Sequence, residues 1–222
     1  MKQSDKNIIM ITAGGVGQRF GATTPKQYML LNGKPVISYV IEACKKSRIA
    51  DAILVVADPA YHTELKQKYA VDVANNGPVL NITKRNGFDY VRENSSCEKL
   101  VVVEAVRPML EPEMIDNTFL FLDSYDAVAC ARKITDSLGH YGEWVVNREE
   151  YYTLNPPEGF RFPLLDRCFD PGSTYTESIQ QLPDISRVYL NFDVPYLDKT
   201  TYPEDLAKAE AMLLWREAHR EQ

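Results

Sequence analysis

Asn7-Ile8-Ile9-Met10-Ile11-Thr12, followed at once by Ala13-Gly14-Gly15-Val16-Gly17-Gln18-Arg19-Phe20, decides the fold. The first six residues form a short apolar run that gives way to glycines, the pattern of a strand buried on both faces in a parallel sheet. The glycines let backbone N–H groups approach phosphate oxygens without interference from Cβ atoms. Their spacing at 14, 15 and 17 is not the dinucleotide fingerprint, and no Gly-Lys-Ser/Thr closes the loop as in a P-loop. Instead Arg19 and then Lys26, within Thr24-Pro25-Lys26-Gln27-Tyr28, put two cations just past the glycines, where a triphosphate would need them.

Outward from this loop the chain alternates. Helical spacing over 35–47 precedes a second buried strand at 52–57, and a helix over 59–69 precedes a short strand at 71–73. An Asn75-Asn76-Gly77 turn leads to a helix over 83–93, then a core strand at 100–103 and a helix over 111–123. Strands alternating with helices of this length predict a parallel sheet with helices on its faces. After Asp126 the pattern changes. A strand at 127–131 is followed by a stretch, 138–157, without helical period, which reads as a projecting arm or hairpin. A short helix over 160–168, a late strand at 188–190 and a closing helix over 203–220, with Thr201 as its cap, complete the order. No repeat or low-complexity linker divides residues 1–222, so a single domain is expected.

Composition narrows the function. With 45% hydrophobic and 25% charged residues the chain is globular, and its net charge of −6 argues against wrapping a nucleic acid polymer. No apolar run approaches the roughly 20 residues of a membrane span. The run behind Met1-Lys2-Gln3-Ser4-Asp5-Lys6 is too short for a secretory signal, and four scattered cysteines suit reduced thiols, so a cytoplasmic protein is expected. His62, His140 and His219 fall outside every motif, and Trp144 and Trp215 read as packing residues.

Three ordered motifs carry a family resemblance. Ala-Gly-Gly-x-Gly-x-Arg with Pro-Lys-Gln-Tyr and Leu31-Asn32-Gly33-Lys34-Pro35-Val36 resembles the opening of the cytidylyltransferases that act on 2-C-methyl-D-erythritol 4-phosphate or, in their relatives, on ribitol 5-phosphate. Val103-Glu104-Ala105-Val106-Arg107-Pro108 is similar to that family's His-Asp-Ala-(Ala/Val)-Arg-Pro, and Lys199-Thr200-Thr201-Tyr202-Pro203-Glu204-Asp205-Leu206 to its closing motif. The resemblance implies a Rossmann-like nucleotidyltransferase fold, α/β with a mostly parallel central sheet flanked by helices, and a projecting β-arm. It implies transfer of CMP from CTP to a phosphorylated polyol or sugar, releasing pyrophosphate and giving a CDP-alcohol.

Residue by residue, the resemblance assigns Ala13, Gly14, Gly15, Gly17, Asn76, Gly77 and Thr83 to CTP, and Arg19, Lys26, Arg107 and Lys199 to the reacting phosphates. Ser137, Arg148 and Thr174, with Thr176 as a rival to Thr174, would face the acceptor phosphate, Arg148 reaching the neighbouring site of a homodimer. Glu104 stands where the family has its metal-binding aspartate and would hold Mg²⁺ or Mn²⁺, with Asp193 or Asp198 as a second carboxylate. Val103 replaces a histidine, and Pro156-Pro157-Glu158 replaces Thr-Pro-Gln, losing a hydroxyl and adding a charge. These departures concern the acceptor half and point to an acceptor other than methylerythritol phosphate, which stays as the alternative. Two further readings compete. One is a catalytically silent nucleotide-binding relative; the other is a transferase for another nucleotide or for phosphocholine, with Tyr151, Tyr152, Phe160 and Phe162 as an aromatic cage.

Overall fold

The computed structural model describes residues 1–15, 24–142, 144–195 and 197–219. Its centre is a seven-stranded sheet. β1 (Asn7–Ala13) pairs in parallel with β4 (Ala52–Ala57) on one side and β6 (Lys99–Glu104) on the other, and β5 (Asp72–Asn75) extends the sheet beyond β4. A small antiparallel ribbon, β2 (Leu30–Leu31) with β3 (Lys34–Pro35), precedes α1 (Val36–Lys45). The remaining helices of this half are α2 (His62–Tyr69), α3 (Leu80–Asn94) and α4 (Pro112–Phe121).

β1 shows why its sequence is apolar throughout. Ile9 and Ile11 join one core with Ile37 and Ile41 of α1, Leu65 of α2 and Phe119 of α4. Ile8 and Met10 face the opposite core, with Phe88 and Val91 of α3 and Leu165 of α5 (Phe162–Cys168). Successive side chains of a strand point to opposite faces, so a strand covered on both sides can carry no polar alternation.

The second half departs from the sequence reading. β7 (Ala127–Lys133) is not the neighbour of β6. A ten-residue strand, β8 (Tyr152–Arg161), lies antiparallel between them, and β9 (Val188–Asn191) closes the sheet in parallel with β7. The sequence reading ran the arm through 157 and began a helix at Phe160, because Pro156, Pro157 and Gly159 are residues that break regular structure. The ladder absorbs them in an irregularity. Ala129 pairs with Glu158 and Cys130 with Asn155, which leaves both prolines outside the pairing. Residues 134–151 connect the two strands, with Tyr141, Trp144 and Val145 fully or largely exposed.

Smaller differences have local causes. α3 begins at Leu80, one turn before Thr83, with Thr83 N–H already bonded to the Val79 carbonyl at 3.0 Å. α6 (Pro203–His219) is not capped by the Thr201 hydroxyl. Asp205, in the first turn, reaches back to accept from the N–H groups of Thr201 and Tyr202, each at 2.8 Å. Among the described residues no helix is long and apolar enough to cross a membrane.

Candidate active site

A cleft of about 870 Å³ opens at the carboxyl ends of β1, β5 and β6, where ligands of open α/β sheets usually bind. Of the residues singled out from the sequence it gathers Ala13, Gly14, Gly15, Lys26, Asn76, Gly77, Thr83, Glu104 and Lys199. Gly17 and Arg19 lie outside the described residues.

The glycine wall is built by amide side chains. Asn76 donates through Nδ2 to the Gly14 carbonyl at 3.1 Å, and Gln27, itself buried, donates to the carbonyls of Ala13 at 2.6 Å and Gly15 at 3.0 Å. A Cβ on Gly14 would stand 2.5 Å from Asn76 Cβ, so only glycine lets the two loops touch there, whereas Gly15 would meet nothing within 4 Å. The Thr83 hydroxyl accepts from Gly77 N–H at 2.9 Å and donates to the Gly77 carbonyl at 3.2 Å, closing the turn after β5 onto α3. Gln27 and Thr201 line the cleft without having been assigned to it from the sequence; Gln27 sat within the quoted Pro-Lys-Gln-Tyr.

At the far wall stands Glu104, at the end of β6. Its Oε1 accepts from Lys199 Nζ at 2.5 Å and its Oε2 from Arg107 Nε at 2.8 Å. The segment bearing Lys199 is held to the sheet by Thr200 N–H, which donates to the Val106 carbonyl at 2.9 Å. Burial works to raise the Glu104 pKa, but the charges of Arg107 and Lys199 and their hydrogen bonds overcome it and hold the group at about 2. Arg107 corrects a sequence expectation. It is buried behind Glu104 and not at the cleft surface, with Nη1 donating to the Leu197 carbonyl at 2.6 Å and to Asn155 Oδ1 at 3.2 Å. Its Nε and Nη1 donors are thus engaged by the protein itself.

The donor chemistry here fits a hard divalent cation in one respect. Glu104 is an ionised oxygen donor on the cleft wall, and a carboxylate keeps lone-pair sites beyond the two already engaged. Magnesium commonly takes one or two carboxylates and completes its shell with phosphate oxygens and water. Among the described residues no group of three or more His, Cys, Asp or Glu side chains is arranged for a metal. Asp198 meets Arg132 at 3.5 Å, and neither it nor Asp193 lines the cleft.

Next to the turn at Gly77, α3 reaches across to the segment 173–179. Asn81 donates to the carbonyls of Ser173 and Tyr175, both at 2.9 Å. Lys84, adjacent to Thr83, donates to the Thr176 carbonyl at 2.8 Å and to Ser178 Oγ at 2.9 Å, and its Nζ lies 3.7 Å from Glu158 Oε2. Glu158 in turn accepts from the N–H groups of Ser178 and Ile179 at 3.3 and 3.2 Å. Both side chains of this ion pair are at most 4% exposed. The charge that position 158 adds is therefore buried and matched by Lys84, which the sequence reading did not single out.

The acceptor-directed expectations are less gathered. Ser137 and Thr174 are exposed, and Arg148 donates to the Thr135 carbonyl and pairs with Glu149 at 3.5 Å. None of the three lines the cleft of the single chain.

Comparison with known proteins accords with this geometry. Residues 7–214 match the family model described as IspD, 2-C-methyl-D-erythritol 4-phosphate cytidylyltransferase. A 2-C-methyl-D-erythritol 4-phosphate cytidylyltransferase of Azobacteroides pseudotrichonymphae is 32% identical over 96% of this chain and 100% of its own length. The bifunctional ribulose 5-phosphate reductase/CDP-ribitol pyrophosphorylase Bcs1 of Haemophilus influenzae is 26% identical, over 75% of this chain and 38% of that protein. The fold is similar to the crystal structure of 4-diphosphocytidyl-2C-methyl-D-erythritol synthase from Anaerococcus prevotii, with a TM-score of 0.80 at 20% identity, covering 94% of this chain and 96% of that one. The chain belongs to the IspD family and is a CTP-dependent cytidylyltransferase, a nucleotidyltransferase built on a mostly parallel α/β sheet.

Two measurements test these electrostatics. Lys84→Met leaves Glu158 buried without its cation, and urea unfolding is expected to show a loss of about 3–5 kcal/mol. Glu104→Gln is expected to destabilise at neutral pH. A carboxylate with a depressed pKa contributes stability above its unfolded value, lost as pH falls through the folded one. The difference from the parent protein should therefore shrink as pH drops from 4.5 toward about 2.

Proposed function

We propose that the cleft binds CTP along the 13–15 and 76–83 segments, with Lys26 and Lys199 at the phosphates and the body of the acceptor lying toward the side of 173–179. The observation that carries this reading is the convergence of the glycine wall, Lys26, Glu104 and Lys199 on one cleft. An ionised phosphate oxygen of the acceptor attacks the α-phosphorus of CTP, the new P–O bond forms as the bond to the β-phosphate oxygen breaks, and pyrophosphate leaves. A phosphate monoester is already anionic near neutral pH, so no strong general base is needed. Rate acceleration comes from alignment and from cations that offset the repulsion between two anions.

In this reading Lys199 leaves Glu104 to contact the α-phosphate, and Arg107 acts from behind by fixing the Glu104 carboxylate. Glu104 is the residue that would hold Mg²⁺ or Mn²⁺, which when bound neutralises phosphate charge. The acceptor we favour is a polyol phosphate other than methylerythritol phosphate, because the Lys84–Glu158 pair stands against the segment assigned to it. Methylerythritol phosphate itself remains the second reading, favoured by the relative that is 32% identical along the whole chain. The exposed tip at 134–151, with Tyr141 and Trp144, is read as a dimerisation arm that carries Arg148 and Ser137 to a partner's cleft. The four free thiols, three of them buried, suit a reducing cytoplasm.

Pyrophosphate release from CTP with Mg²⁺ should depend on the acceptor, tested with ribitol 5-phosphate, methylerythritol 4-phosphate, glycerol phosphate and choline phosphate. Choline phosphate is expected to be inert, and silence of the whole panel would contradict the reading. Lys199→Ala and Lys26→Ala should each lower kcat/KM on the order of 10²–10³, the usual loss for one charge-stabilising donor. For the arm, mixing Arg148→Ala with Lys199→Ala chains should recover activity that neither has alone. If Arg148 acts only within its own chain, nothing is recovered.

A further inference from the structure

The segment 173–179 is fixed through its main chain and one serine, and this leaves a single carboxylate in it unbonded. Asn81 holds the carbonyls of Ser173 and Tyr175, Lys84 holds the carbonyl of Thr176 and the hydroxyl of Ser178, and Glu158 receives the N–H groups of Ser178 and Ile179. Glu177 stands among these anchors, half-buried. Its surroundings act on it through burial and through charges at a distance, with no hydrogen bond from the described residues. Those charges are Glu158 on β8, Lys84 on α3, Glu104 at the end of β6 and Lys199 ahead of α6. Glu177 is thus within electrostatic reach of both the buried pair and the cation–carboxylate pair of the cleft.

A second acceptor, on α3 between the cleft-lining Leu80 and Thr83, also lacks a donor. Asn81 is 7% exposed, its Nδ2 is committed to the loop, and its Oδ1 has no partner among the described residues. Removing acceptors from water without supplying donors is unfavourable, and such groups call for a partner, which can be an ordered water, an ion or a ligand. The complement to a carboxylate and an amide oxygen is a group that donates. A phosphate brings further negative charge and only acceptors, whereas a polyol chain brings several O–H donors. The Lys199 end of the cleft suits the phosphate. Glu177 is not in the lining of the cleft itself, but its segment is anchored to α3 beside the lining residues Leu80 and Thr83, where the hydroxylated carbons attached to that phosphate could reach it.

We propose that Glu177 binds hydroxyl groups of the acceptor and thereby contributes to its selection, on a loop positioned by Asn81, Lys84 and Glu158. This assignment rests on the acceptor being a phosphorylated polyol. Burial first, and then the charge of Glu158, push the Glu177 carboxyl up to about 7 against the opposing pull of Lys84, so its accepting form is gained across neutral pH.

The test is steady-state pyrophosphate release by the full chain with CTP, Mg²⁺ and either ribitol 5-phosphate or methylerythritol 4-phosphate, comparing the parent protein with Glu177→Gln and Glu177→Asp. A hydrogen bond to a charged group corresponds to about 10-fold or more in affinity. Glu177→Gln is accordingly expected to raise the acceptor KM by about that factor at about pH 8, and clearly less at about pH 6, where the parent carboxyl is largely protonated. The acceptor phosphate titrates identically with every variant, so the ratio of the two KM values isolates Glu177. The CTP KM should stay within about twofold, and Glu177→Asp should recover part of the loss. An unchanged acceptor KM, or a loss equal at both pH values, would overturn the assignment. Absence of pyrophosphate from the parent protein with both acceptors would instead overturn the polyol-phosphate reading, and this assignment with it.

Discussion

Glu104 joins two parts of the chain that lie 95 residues apart, and the geometry of the cleft follows from that junction. One oxygen takes Lys199 and the other takes Arg107, which is anchored in turn to the Leu197 carbonyl and to Asn155 on β8. Three segments thereby converge on one carboxylate: the end of β6, the approach to α6, and β8. An isolated buried carboxylate would neutralise itself by taking up a proton. This one is kept ionised by cations on both sides. The cleft consequently has an ionised carboxylate held between two cations, one of them, Lys199, partly open to solvent and the other, Arg107, buried.

A second junction does for the segment 173–179 what Glu104 does for the approach to α6. Lys84 and Glu158 fix this segment from below, and Lys84 follows directly on Thr83, which closes the turn at Gly77. The turn and the segment are therefore braced by neighbouring residues of the same helical turn. Small displacements of α3 would be felt both at the Gly77 turn and in the segment 173–179, so the two share a mechanical support even where they share no contact.

How much of this was legible follows from particular residues. The parallel half of the sheet could be read because Ile8 to Ile11 and Leu100 to Val103 are continuous apolar runs separated by helical periods. The glycine loop could be read from its place after a buried strand and from its motif; that Gly14 and Gly77 also answer a steric demand, where added Cβ atoms would meet Asn76 and Ile82, shows only in the fold. β8 was hidden because its identity as a strand comes from neighbours on both sides and not from its own composition, which includes two prolines and a glycine. Arg107 was misjudged for a related reason. A motif shows that an arginine is present, but its direction is set by Asn155 and Leu197, far away in sequence. Lys84 left no local trace, since a lysine on a helix ordinarily faces water.

The break in the β7–β8 ladder divides β8 into two stretches with separate alignments. On one side Arg132 and Lys133 face Thr153 and Tyr152 at the root of the arm; on the other, Ala127 to Ala129 face Phe160 to Glu158 in the core. In an unbroken ladder, adding or deleting one residue on the arm side would turn every later side chain to the opposite face and carry Glu158 out of the interior. The irregularity absorbs such a change before it reaches the core. The connection between β7 and β8 can therefore change in length at the root of its strands while Ala127 to Ala129 and Glu158 to Phe160 keep their alignment.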